Sequence, residues 1–241
     1  MRILILGGTS EARELAEALT ARGHAVIMSL AGRTSNPNVP AGEIRVGKFG
    51  GVPGLAGYLR AMQIEWVIDA THPYAALMSI NAVAAARQAG IELIRLARAE
   101  WQEPEGANWT HVPDIAAAAA AIPGGSVVLA TSGHEGLDHL LARRDCELIV
   151  RLIEAPENAM PRNTRLLLGR PPYSLDGERA LFKAETIDVL VTKNSGGEAT
   201  RAKLDAASEL GVKVIMIDRP SLPEAVEAGS VEEIVAALSR P

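Results

Sequence analysis

The chain has 241 residues, enough for one large domain or two small ones with substantial cores. Its 48% hydrophobic and 22% charged residues exclude a disordered protein, and a formal net charge of −5 supplies no basic field for a nucleic-acid backbone or an anionic membrane. Three Trp, three Tyr and two Phe are too few for base-stacking surfaces, so nucleic acid is disfavoured on a second ground.

In chain order, the apolar run Ile3-Leu4-Ile5-Leu6 is too short for a secretory signal and predicts a buried first strand at residues 2–6. A helix follows, with Ala12, Leu15, Ala16 and Leu19 on one stripe and Gly23 as its C-cap. Further strands are expected at 25–30, 44–46, 66–69 and 92–96, and a second stripe, Ala82, Ala85, Ala86 and Ala89, ends at Gly90. The polar stretch Arg98 to Ala107, with Pro104 and Gly106, reads as a linker. Beyond it, strands at 127–130, 148–151, 165–168, 189–192 and 213–217 alternate with helices near 136–142, 177–185, 200–210 and 231–239, and the alanine run 116–121 suits another helix. The uncharged stretch 115–133 approaches the length of a membrane span, but Pro123-Gly124-Gly125-Ser126 interrupts it. The fold class expected is α/β, with two parallel-sheet domains at 1–97 and 114–241 joined by a linker at 98–113.

Strand ends in such sheets carry the ligands. After the first strand, Gly7-Gly8-Thr9-Ser10 lets backbone N–H groups approach a diphosphate, with the following helix adding its positive end. The pattern is not G-x-G-x-x-G, so a tight strand-to-helix turn stands as the alternative to a diphosphate site. The second strand discriminates further. NAD sites place an acid about 20 residues past the glycines, yet no acid stands between Glu17 and Glu43. Ser29, Gly32, Arg33, Thr34 and Ser35 occupy that stretch and suit a 2′-phosphate, although Arg33 also reads as a solvated loop residue. After the fourth strand, Thr71-His72-Pro73-Tyr74 places polar tips where a proton could be delivered, or where His72 caps a helix and Tyr74 packs. In the second half, Thr131-Ser132-Gly133-His134 and Lys193-Asn194-Ser195-Gly196-Gly197 offer hydroxyls, N–H groups and a lysine to carboxylates or phosphates.

Other chemistry finds no support. The single cysteine, Cys146, permits no intrachain disulfide and no multi-thiolate zinc site, which fits a reducing, cytoplasmic compartment. It sits in the apolar run 146–150 and reads as core. His134 and His139 miss the i, i+4 spacing of paired ligands, so no metal is expected.

The segments 5–13, 69–75 and 192–197 together make the sequence similar to the precorrin-6A reductase family of cobalamin biosynthesis, over nearly the whole chain. The resemblance implies an oxidoreductase with two Rossmann-like domains and a cleft between them in which NADPH meets a polycarboxylate tetrapyrrole. It implies hydride transfer that converts precorrin-6A to precorrin-6B with uptake of a proton. Carried onto this chain, Gly7, Gly8, Thr9 and Ser10 would hold the diphosphate, with Ser29, Arg33 and Thr34 about the 2′-phosphate and Thr71 beside the nicotinamide. His72 and Tyr74 would line nicotinamide and substrate and serve proton delivery or positioning. Thr131, Ser132, Lys193, Asn194, Ser195 and Gly196 would receive the acetate and propionate arms. Two alternatives stay open: the cobalt-containing substrate of the anaerobic route, and a non-catalytic NADP(H) sensor.

Overall fold

The structure, a computed structural model, describes residues 1–31 and 42–239. The expected positions Gly32, Arg33, Thr34 and Ser35 lie outside the described residues. Two compact units emerge, one of Met1–Ala99 together with the segment from Pro220 onward, the other of Glu100–Arg219.

The first unit contains β1 (Arg2–Leu6), α1 (Ser10–Thr20), β2 (Ala25–Leu30), β3 (Glu43–Val46), α2 (Gly51–Ala61), β4 (Trp66–Asp69), α3 (Ala76–Ala89) and β5 (Glu92–Leu96). The second holds β6 (Trp109–Val112), α4 (Ile115–Ala121), β7 (Val127–Ala130), α5 (Leu137–Leu141), β8 (Glu147–Leu152) and β9 (Thr164–Leu168). It continues with α6 (Leu175–Ala184), β10 (Val189–Lys193), a 3₁₀ turn (Glu198–Thr200), α7 (Ala202–Glu209) and β11 (Lys213–Ile217). The chain then returns to the first unit with β12 (Val226–Ala228) and α8 (Val231–Leu238).

Each unit is built on a six-stranded sheet, ordered β3-β2-β1-β4-β5-β12 and β9-β8-β7-β10-β11-β6, and every pairing is parallel. Alternation along β1 explains the layers of the first unit. Ile3 and Ile5 face α1 and α8, while Leu4 and Leu6 face α2 and α3. In the second unit Leu129, Ile149, Leu190 and Met216 pack on Phe182 of α6 and Leu204 of α7.

The order of strands reverses between β1 and β4 in one sheet and between β7 and β10 in the other, which is where doubly wound sheets open a crevice. In both sheets the sixth place is filled by a strand out of sequence. β12 closes the edge of β5, continued by the Ala97 N–H donating to the Ala228 carbonyl at 2.9 Å, and β6 closes the edge of β11.

This arrangement corrects the expected boundaries. The terminal segment belongs to the first unit, because Val231, Ile234 and Leu238 bury against the α1 stripe, each side chain contributing about 1.5–3 kcal/mol. The expected linker is largely part of the second unit, since Trp101 is 5% exposed in its core and β6 follows. Helix α2 was not expected among Gly51, Pro53, Gly54 and Gly57. Gly54 is required there, since a Cβ at that position would lie 1.7 Å from the Phe49 carbonyl oxygen. Cys146 is buried, as its apolar surroundings predict. Among the described residues no helix is long and apolar enough to cross a membrane.

Candidate cofactor and substrate sites

In the first unit, the turn between β1 and α1 lies at the strand-order reversal. The Gly7 N–H donates to the Ser29 carbonyl at 2.9 Å, tying the turn to β2. A Cβ on Gly7 would stand 3.1 Å from the Met28 side chain, and Gly8 adopts φ 122°, a region that side chains avoid. The backbone is therefore bare where α1 begins. Thr9 caps α1 by accepting from the Ala12 N–H at 3.1 Å, and its hydroxyl donates to the Ala70 carbonyl at 2.9 Å, fastening the turn to the end of β4. Ser10 donates to Glu11 at 3.0 Å, and Glu11 pairs with Arg98 at 2.6 Å. Burial pushes the Glu11 carboxyl up, but the Arg98 guanidinium and the hydrogen bonds outweigh it and hold the group below its usual range. The acid at the helix start is thus neutralised by a partner.

Past β4, Asp69 is 1% exposed and its Oδ1 accepts from the Thr71 hydroxyl at 2.7 Å and N–H at 3.3 Å. That turn directs Thr71 to Tyr74. Asp69 is flanked by Arg95 with Nε at 3.5 Å, and Arg95 reaches Glu227 at 3.0 Å and the Pro223 carbonyl at 3.1 Å. The returning segment and the β4 loop therefore share one arginine. His72 Nδ1 accepts from the Tyr74 N–H at 3.3 Å, which leaves the ring proton on Nε2, and the two rings lie 5.7 Å apart. His72 is exposed and Tyr74 half-buried.

Ser29, buried at the end of β2, faces a cation that sequence reading missed. Arg45 is its register partner on β3, and its guanidinium donates to the Ser29 hydroxyl at 3.4 Å, to the Gly47 carbonyl at 2.6 Å and to the Lys48 carbonyl at 2.8 Å. The Phe49 ring centre lies 3.7 Å from the guanidinium carbon. Only the β2–β3 pairing reveals this neighbourhood, although Arg45, Lys48 and Phe49 stand close in sequence.

In the second unit the loops after β7 and β10 flank the other reversal. The Thr131 N–H and hydroxyl both donate to the Val191 carbonyl, at 2.9 and 3.3 Å. The Ser132 hydroxyl is buried with no hydrogen-bond partner among the described residues. Lys193 and Ser195 are half-buried, and Gly196 and Gly197 both adopt left-handed φ, 67° and 81°. Asn194 is used differently from the expectation of an open receptor. It is 1% exposed, its Oδ1 accepts from the Trp101 N–H at 2.9 Å, and its Nδ2 donates to the Trp101 carbonyl at 3.2 Å and to Glu100 at 3.3 Å. Trp101 Nε1 donates in turn to the Gly197 carbonyl at 3.1 Å. Asn194 braces the loop that displays Lys193 and Ser195.

Two doubly wound sheets in tandem, each with a polar loop pair at its reversal and the first with a bare glycine turn opening a helix, define a ligand-binding α/β protein. A family model described as precorrin-6x reductase CbiJ/CobK matches residues 2–239. The precorrin-6A reductase of Rhodococcus erythropolis is 45% identical over 240 residues, spanning 99% of this chain and 96% of that protein. The cobalt-precorrin-6A reductase of Priestia megaterium is 31% identical over 252 residues, spanning 98% of this chain and 97% of that protein. A solved structure, CobK precorrin-6A reductase, superposes with a TM-score of 0.94 at 42% identity, over 99% of this chain and 96% of that one. The chain belongs to the precorrin-6x reductase family.

Proposed function

We propose that the chain reduces precorrin-6A with NADPH, in cobalamin biosynthesis. The observation that carries the reading is the turn at Gly7 and Gly8, whose bare backbone opens α1 at the β1–β4 reversal and fits a diphosphate. Bound NADPH supplies a hydride from its nicotinamide. The chain supplies position: Gly7, Gly8, Thr9 and Ser10 at the diphosphate, Ser29 at the adenosine end, and Thr71 at the nicotinamide end. Arg45 supplies a cation next to Ser29 for the 2′-phosphate, in addition to the sequence candidates Arg33 and Thr34.

The proton that completes the two-electron reduction comes from the His72–Tyr74 pair, of which His72 is the more exposed. Carboxylate arms of the macrocycle go to the second unit, at Thr131, the unpartnered Ser132 hydroxyl, Lys193, Ser195 and the N–H groups about Gly196. The metal-free substrate is favoured because 45% identity to a precorrin-6A reductase exceeds the 31% to a cobalt-precorrin-6A reductase.

The test incubates the protein with NADPH and either precorrin-6A or its cobalt form, following nicotinamide absorbance and product mass. Oxidation of NADPH with gain of two hydrogens by precorrin-6A is expected. Stoichiometric NADPH binding without turnover of either macrocycle would make the chain a sensor instead.

A further inference from the structure

The second unit carries a group of buried charges that this reading leaves unused. Arg151 near the end of β8, Glu178 on α6 and Lys203 on α7 are 7%, 2% and 5% exposed. The Arg151 guanidinium forks onto Glu178, Nη1 to Oε1 at 2.7 Å and Nη2 to Oε2 at 2.9 Å, and its carbon lies 4.4 Å from the Tyr173 ring centre. Lys203 Nζ stands 5.1 Å from the Trp101 ring centre. Two cations therefore share one anion, and Arg151 Nε is buried without a hydrogen-bond partner among the described residues. A buried ion pair stabilises a fold little better than apolar packing of the same volume, so structural support does not account for the cationic surplus. Buried titratable groups with perturbed pKa values gather at functional sites.

A cavity of about 420 Å³ opens against this pair, lined by the polar Arg151, Glu178, Tyr173 and Ser174 and by the apolar Leu167 and Leu181. It lies beyond the carboxyl ends of β8 and β9, on the same end of the sheet as the β7 and β10 loops. A lining that joins a charged pair to leucines suits a carboxylate on a short hydrocarbon stem. We propose that this cavity is a binding site for a carboxylate arm carried on an aliphatic stem, anchored by Arg151 with Lys203 buried behind it. The proposal rests on the polycarboxylate substrate proposed above and adds an anchoring point separate from the loops at 131–134 and 193–197.

With Lys203 protonated, an arriving carboxylate brings the cluster to two cations and two anions. Burial, aided by Arg151 and opposed by Glu178, holds the Lys203 ammonium down at about 7, and a second anion would raise it. Binding above neutral pH then draws in protons.

The test uses the full chain and butyrate as probe, with butyramide as its uncharged match, followed by calorimetry in two buffers of different ionisation enthalpy. Wild type should prefer butyrate at least about tenfold and take up protons at pH 8. Arg151→Met with Glu178→Leu, which replaces the pair by apolar volume, should abolish the preference. Leu168, exposed at 54% on the cavity lining, gives a second pair of variants that leaves the fold alone. Leu168→Glu should weaken butyrate and Leu168→Lys should tighten it, both by several-fold. Equal binding of butyrate and butyramide by wild type, or identical affinities in the two Leu168 variants, overturns the site. Turnover of precorrin-6A by the same wild-type preparation is measured in parallel. Turnover without a butyrate preference sinks only this cavity, whereas a preference without turnover sinks the reductase reading and leaves a carboxylate site.

Discussion

Arg45→Gln should cost this protein its choice between NADPH and NADH. The Arg45 guanidinium is held in place by the Gly47 and Lys48 carbonyls and by contact with Phe49, so little further ordering is needed to receive a phosphate. A charge-assisted hydrogen bond contributes about 1.5–3 kcal/mol, and because Arg45 is half-buried the lower end applies, about tenfold to thirtyfold in affinity. The assay is a fluorescence titration of each nucleotide with wild type and variant, in low and high salt. Damage to the loop beyond β3 weakens both nucleotides alike, so the ratio of their dissociation constants isolates the 2′-phosphate. NADPH affinity should fall toward that of NADH, and the salt sensitivity of NADPH binding should fall with it. An unchanged ratio would make Arg45 a brace for residues 47–49 and return the phosphate to Arg33, tested by Arg33→Ala in the same titration.

Lys203→Met should alter the pH dependence of stability. With its folded value held down to about 7 and its unfolded value near 10.5, Lys203 leaves the unfolded chain binding more protons between those limits. Its contribution to stability therefore rises with pH across that window and is flat below it, by no more than about 5 kcal/mol, and urea unfolding of Lys203→Met should lack that rise. Gly8→Ala meets no atom within 4 Å of the new Cβ, so the expected loss is backbone strain of about 1–2 kcal/mol, read from the melting temperature. NADPH affinity should fall with it, and unchanged NADPH affinity in the folded variant would remove the diphosphate assignment. Arg95→Met removes the cation paired with the buried Asp69 and should destabilise the protein by about 3–5 kcal/mol in urea unfolding, whereas a loss below about 1 kcal/mol would mean that the pair contributes little to the fold.

Where the chain obeys a simple period, sequence alone finds its place. Ile3 to Leu6 reads as a buried strand, and the spacing of Ala12, Leu15, Ala16 and Leu19 reads as the buried stripe of a helix, so the glycine turn between them was legible. The loops at 71–74, 131–134 and 193–197 were legible for the same reason, each bounded by a readable strand. What escaped was set by partners distant in sequence. Val226-Glu227-Ala228 is too short to show alternation and becomes a strand only because β5 offers an open edge. Asn194 carries the same side chain whether it greets a ligand or clamps Trp101, and only the fold brings those residues together. Arg45 becomes a candidate through its register with Ser29.

The return of β12 and α8 to the first sheet sets an order for making the protein. During synthesis Met1 to Ala99 emerges first but lacks its last strand and the helix that covers α1, while residues 100–219 gain everything their sheet requires as soon as β11 leaves the ribosome. The unit begun first is thus finished last, with the β5 edge and the stripe of Leu15 and Leu19 open to other chains in the interval. A released chain ending near Arg219 would hold a complete second sheet and an unfinished first one.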